Sequence, residues 1–255
     1  MFKDPRYSQI GIDRIIRLNW MERTAYLVLA GDKVPEAKKI LKEYLQGWFR
    51  SKNANKRSSL DKTITILLRI WVRPPDELYL LQQKGLRFLS CPPQENHIAV
   101  HWGMTMAVYP FWGVVATQVG RLLRLQGTAT VSQVQRRLKE QYGERETVSR
   151  AAQRVLRSFT DWGVLKETSE KGIYTKGNSF EIAHEELIAW LVEAFLYANP
   201  NGTATLETVL NSPSLFPFNL RAISADSLVA ISEQLTMLRH GLDQELLMLN
   251  RRMKK

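Results

Sequence analysis

Apolar and polar positions alternate with helical spacing over most of the chain. In residues 10–29 apolar side chains recur every three or four positions until Gly31 and Asp32 stop them, which predicts a first helix. Pro35 stands at the preferred first turn of a second helix, whose inner face is Ile40, Leu41, Tyr44, Leu45 and Trp48. Residues 60–72 are rich in threonine and isoleucine, so helix and strand compete there. Asp61 near the start, with Leu67, Leu68 and Trp71, favours a helix that Pro74 and Pro75 end. Residues 76–89 predict another helix, with Leu78, Leu81 and Leu86 inward, before Cys91, Pro92 and Pro93 break the chain. Residues 1–93 are thus expected to form a helical module. Residues 50–59, polar and basic, are expected to be a solvated loop within it.

The middle of the chain carries the most informative pattern. Thr128 or Thr130 can cap a helix whose stripe is Val131, Val134, Leu138 and Tyr142, and Gly143 is placed to end it. Thr147 or Glu146 begins the next helix. There Val148, Ala152, Val155, Phe159 and Trp162 form one stripe, while Arg150, Arg154 and Arg157 fall within about 60° of arc on the opposite side. Burying the apolar stripe therefore aims three guanidinium groups outward together. Gly163 suits a left-handed C-terminal cap, and residues 164–167 and 173–175 read as two strands joined by the turn 169–172.

Helix, turn, helix and hairpin in this order, with the phrase DWGVLKE leaving the second helix, resembles the winged helix-turn-helix family. The resemblance covers about 50 residues, or 70 if the helix at 111–126 is the family's first. It implies a helix laid in the DNA major groove, with the wing near phosphate or the minor groove. By position it assigns Arg150, Gln153, Arg154 and Arg157 to the nucleic acid, Thr147 and Ser149 to the helix N-terminus, and Lys171 to the wing. Arg145, Lys171 and Lys176 would contact phosphate, with Lys52, Lys56 and Arg57 as additional contacts from the basic run. Winged helices also serve as protein-protein modules, so an adaptor or scaffold subunit is the alternative, with the apolar stretch 215–218 as its docking surface.

Charge sharpens this picture. The net charge of +11 is uneven: residues 1–96 carry 18 basic and 10 acidic side chains, residues 121–176 carry 12 and 6, and residues 177–255 carry 6 and 9. A basic body facing a polyanion, with a different job at the C-terminus, is the simplest reading. Residues 96–120 contain no Lys, Arg, Asp or Glu, long enough on paper to span a bilayer. However, the stretch holds histidines, threonines and a mid-segment Pro110, so a buried helix pair joined at Pro110 is expected and no membrane. His97 and His101, four apart, could face one metal, but no local ligand set completes a site, and no metal or cofactor is expected. One cysteine, Cys91, excludes an internal disulfide and points to a reducing compartment. The glycine-rich nucleotide, HExxH and GxSxG signatures are absent, which argues against an enzyme.

After the hairpin, residues 179–198 predict a helix ended by Asn199-Pro200-Asn201-Gly202, followed by a helix at 206–210 and another at 226–238. The segment 242–249 reads equally as helix or edge strand, and no internal repeat is visible. The expectation is a mainly α protein of three parts: a helical N-terminal module (1–93), a winged helix-turn-helix domain with a small β-hairpin wing and buried leading helices (94–178), and a helical C-terminal region (179–255). Its expected role is that of a prokaryotic, cytoplasmic or nucleoid-associated protein binding double-stranded DNA. It would act as a transcription regulator or as an accessory subunit of a DNA-acting system. The alternative reading places a protein partner at the C-terminal region, and a homodimer would place half-sites about one helical turn apart.

Overall fold

The computed structural model describes residues 4–49, 54–91, 96–240 and 244–250. The protein is mainly helical, and its elements pack around one helix, α5 (His97–Val108), every residue of which is buried. That helix is apolar all round, as a helix enclosed on every side must be. Four helices precede it: α1 (Leu18–Leu29), α2 (Val34–Leu45), α3 (Ala54–Trp71) and α4 (Tyr79–Leu89). After it comes α6 (Pro110–Gln126), set at 117° to α5 across the Tyr109–Pro110 break. Among the described residues no single helix is long and apolar enough to cross a membrane, and the bent α5–α6 pair is largely buried within the fold.

The run that follows α6 is β1 (Thr128–Thr130), α7 (Val131–Tyr142), α8 (Glu146–Asp161), β2 (Leu165–Glu167) and β3 (Ile173–Lys176). The three strands form an antiparallel sheet in the order β1-β3-β2, with Ala129 opposite Tyr174 and Thr175 opposite Lys166. Thr130 caps α7 by accepting from the Gln133 amide, and the Gln133 side chain returns the bond to Thr130. Gly143, at φ +89°, ends α7, and Gly163, at φ +72°, turns the chain from α8 into the hairpin. The apolar stripe of α8 is buried as its spacing requires: Val148, Ala152, Val155 and Phe159 have no exposure and Trp162 has little.

The same order of elements then recurs. After β4 (Phe180–Ile182) come α9 (Glu185–Ala198), β5 (Thr203–Thr205), α10 (Leu206–Leu210), β6 (Phe218–Leu220), α11 (Ala225–Ile231), β7 (Leu235–His240) and β8 (Gln244–Leu249). β5, β8 and β7 pair antiparallel in that order, the arrangement of β1, β3 and β2, and Thr205 caps α10 as Thr130 caps α7. β4 and β6, which have no counterpart in the first unit, pair in parallel. The two units join through an aromatic cluster. Trp102 of α5 stacks on Phe159 of α8 at 4.7 Å and meets Phe216 and Phe218 edge-on. Its indole N–H donates to the Ser214 carbonyl at 3.1 Å.

Several expectations are corrected here. Residues 10–17 are not helical: they run as an irregular strap with Ile12 and Ile16 fully buried. Gly11 sits at φ +63° with its α-carbon against the Tyr109 ring, and a Cβ there would lie 2.8 Å from that ring. Tyr44, inside α2, is exposed beside the buried stripe Ala37, Leu41 and Leu45, and Trp48 is exposed because the chain tightens into a 3-10 turn at Gln46–Phe49, which rotates it off that stripe. The basic run is partly helix, since α3 begins at Ala54. The helix expected at 226–238 ends at Ile231, and 242–249 supplies the middle strand of its sheet rather than an edge, so the C-terminal region is mixed rather than helical. Finally, Leu215, Phe216 and Phe218 are buried, so 215–218 offers no docking surface.

Candidate nucleic-acid interface

The buried stripe of α8 leaves its other side outward. With α8 successive residues about 100° apart, Thr147, Arg154 and Arg150 lie on one flank of that outer side and Arg157 and Gln153 on the other. The surface divides in the same way. Thr147, Arg150 and Arg154 line an open cleft of about 1000 Å³ between α8 and the N-terminal module. Gln153 and Arg157 line a groove of about 340 Å³ toward the wing, together with Lys171, Gly172 and Tyr174. α8 is therefore a ridge between two grooves, with arginine on both slopes.

The charges are not equally free. Arg150 is paired with Glu146 one turn earlier, Nε lying 2.9 Å from Oε1, and both side chains are exposed. An exposed pair of this spacing stabilises by only a few tenths of a kcal/mol, so a phosphate can displace the carboxylate. Among the described residues no carboxylate forms an ion pair with Arg154 or Arg157. Partial burial, then the Arg157 and Arg14 guanidiniums nearby, pull the pKa of Arg154 down from its ordinary value, with Asp13 opposing. Crowded cations that outnumber the nearby anions favour an incoming polyanion.

Ser149 is half-buried at the start of α8, where its carbonyl accepts from the Gln135 side chain at 2.9 Å and fixes α7 against α8. Arg145 is the residue before α8 and donates to the Tyr142 carbonyl at 3.0 Å. Lys171 is exposed at the wing turn, whose Gly172 amide donates to Glu167 at 2.8 Å. Lys176 stands apart from this set: it lies at the far end of β3 from the wing turn and lines a cavity with Arg124 and the C-terminal segment. Lys52 lies outside the described residues, as do the side chains of Lys56 and Arg57, whose backbones belong to α3.

Sequence reasoning missed the N-terminal contribution. The strap crosses α8, its Ile16 amide donating to Ser158 Oγ at 2.8 Å while the Trp162 indole donates to the Ile16 carbonyl at 2.9 Å. This carries Arg14 and Arg17 to the cleft, where Lys62 of α3, Trp20, Trp48 and Phe49 join them. Arg17 pairs with Asp161 and lies over the Trp48 ring, 4.6 Å from its centroid. Nothing in the spacing of residues 10–17 marks an α8 contact 142 residues away.

The histidine pair belongs to the core. Glu22 Oε1 lies 3.2 Å from His97 Nδ1 and 3.3 Å from His101 Nε2, and the Trp71 indole donates to His101 Nδ1 at 3.1 Å. With Nδ1 accepting, neutral His101 carries its proton on Nε2, toward Glu22. Among the described residues no group of three or more histidine, cysteine or acidic side chains is placed to hold a metal ion.

Comparison with protein-family models, curated proteins and solved structures finds no match for this chain.

Proposed function

We propose that the protein binds double-stranded DNA through a winged helix-turn-helix built from α6, β1, α7, α8 and the β2–β3 hairpin. The observation that carries the reading is the outer face of α8: Arg154 and Arg157 stand exposed and, among the described residues, form no ion pair with a carboxylate, next to an exposed Lys171 on the hairpin. Two helices, a turn and a hairpin, the elements on which the resemblance rests, stand in that order at α7, α8 and β2–β3, which supports the reading. In this reading α8 enters the major groove, Arg150, Gln153, Arg154 or Arg157 reach base edges, and Arg145 and Lys171 hold phosphate. The protein would then serve as a regulator or as an accessory subunit of a DNA-acting system.

The second unit supports a division of labour. Its helix α11 carries no lysine or arginine, and Arg239 beside it is engaged by Asp226 and Glu245. The basic unit thus faces DNA while the second serves the fold. The test is fluorescence anisotropy with a labelled mixed-sequence duplex: an Arg150→Ala/Arg154→Ala/Arg157→Ala variant with wild-type circular dichroism should lose binding. Equal binding by the two proteins would remove α8 from the interface.

A further inference from the structure

The cleft on the N-terminal side of α8 has more in it than a duplex would use. We propose that it holds a single-stranded segment of nucleic acid, with phosphates along Arg14, Lys62 and Arg154 and an unpaired base against Trp48. The inference rests on the same α8 face as the duplex reading and adds a second wall to it.

Two observations lead there. The first is charge: among the cleft-lining residues Asp13 is the only carboxylate, against five lysine and arginine side chains, of which Arg14 is paired with Asp13, Arg17 with Asp161 and Arg150 with Glu146. Lys62 is exposed, and neither it nor Arg154 forms an ion pair among the described residues. The second is the aromatic end of the cleft. Trp20 meets Trp48 edge-on at 5.8 Å and Phe49 at 5.9 Å, and Trp48 is 52% exposed. An indole left half in solvent beside a guanidinium is a stacking platform of the kind that binds bases regardless of sequence.

The aromatic end is what separates a strand from a duplex. In a duplex the bases are stacked on one another and only their edges and the backbone are offered, so Trp48 would gain nothing from it. A strand with exposed bases engages both the cations and the ring.

The experiment measures anisotropy of fluorescein-labelled oligo(dT) of about 12 nucleotides, within the span such sites cover, beside a blunt mixed-sequence duplex. Wild type, Trp48→Ala and Trp48→Phe are compared, with thermal unfolding to confirm that each is folded. The expected result is a loss of roughly 5- to 150-fold in oligo(dT) affinity for Trp48→Ala, as for removal of one stacking ring. Trp48→Phe should recover most of it, and duplex affinity should not change. Oligo(dT) should also quench the tryptophan fluorescence of wild type more than that of Trp48→Phe. Equal oligo(dT) binding by wild type and Trp48→Ala overturns the proposal, as does wild type that binds duplex but not oligo(dT). Both of those outcomes leave the duplex reading standing. Trp48-dependent oligo(dT) binding without duplex binding supports the cleft and removes the duplex reading instead, and binding of neither removes both.

Discussion

Ser158→Ala tests how the strap and α8 are joined. Ser158 is fully buried; its Oγ accepts from the Ile16 amide at 2.8 Å and donates to the Arg154 carbonyl at 3.1 Å. Removing the hydroxyl leaves the Ile16 N–H without an acceptor in a site closed to water, at a cost of about 1–3 kcal/mol. The gain in helix propensity from serine to alanine offsets roughly 0.5 kcal/mol of this. The Arg154 carbonyl loses little, because it retains its place in the helix ladder. A net loss of about 0.5–2.5 kcal/mol should lower the melting temperature by roughly 1–10 °C in a chain of this size. The strap also carries one wall of the cleft, so oligo(dT) affinity should fall while binding to duplex holds. Urea unfolding and calorimetry of Ser158→Ala, beside Ser169→Ala at the exposed wing turn, supply the measurement. A Ser158→Ala protein as stable as wild type to within about 0.3 kcal/mol would refute the reasoning, since a buried amide cannot be left unpaired at no cost.

Other perturbations have equally definite outcomes. Gly120→Ala should destabilise by about 1–3 kcal/mol despite a better helix propensity, because a Cβ there would lie 2.1 Å from the Pro213 carbonyl oxygen, which is backbone. A more stable variant in urea would show that α6 and the 213–215 turn can move apart. Burial, the largest cause, holds His101 below the usual histidine value of 6.5, although Glu22 opposes it. The unfolded chain therefore takes up more protons than the folded one below about pH 6.5, and stability should fall as the pH drops from there. Burial pushes Glu22 upward, but its hydrogen bonds with His101 and His97 outweigh this and hold it below its usual 4.5. Its contribution is present above pH 4.5 and is lost as the pH falls through its folded value. Urea midpoints at pH 7.5 and 5.0 should thus decline in wild type and flatten in His101→Gln, whereas a flat wild-type profile would contradict a buried neutral histidine.

The outer face of α8 was legible because a strict apolar stripe fixes what lies opposite it. Only the helical period is needed to put Arg150, Arg154 and Arg157 outward. Elements whose form depends on distant partners were not legible in that way. β1 is three residues long and was read as a cap, which Thr130 also is; its strand character comes from pairing with β3. Residues 235–240 follow a helical pattern as far as Leu238, yet pair along their whole length with β8. Trp48 continues the α2 spacing on paper, but the 3-10 turn changes the angle per residue and brings it out. The repeat left one trace, the tripeptide Thr-Ala-Thr at 128–130 and 203–205, each ending in the threonine that caps the next helix. That signal is short, and α10, at five residues, does not echo the pattern of α7.

The central claim is that α8 meets a polyanion with its arginine face, and the most direct measurement is the salt dependence of duplex binding between about 50 and 200 mM. Each phosphate neutralised contributes about −0.9 to the slope of log affinity against log salt. Wild type should show a slope of about −3 or steeper, and the Arg150→Ala/Arg154→Ala/Arg157→Ala variant should be shallower by about 2 to 3. A wild-type slope near zero, or an unchanged slope in the folded variant, would contradict the account.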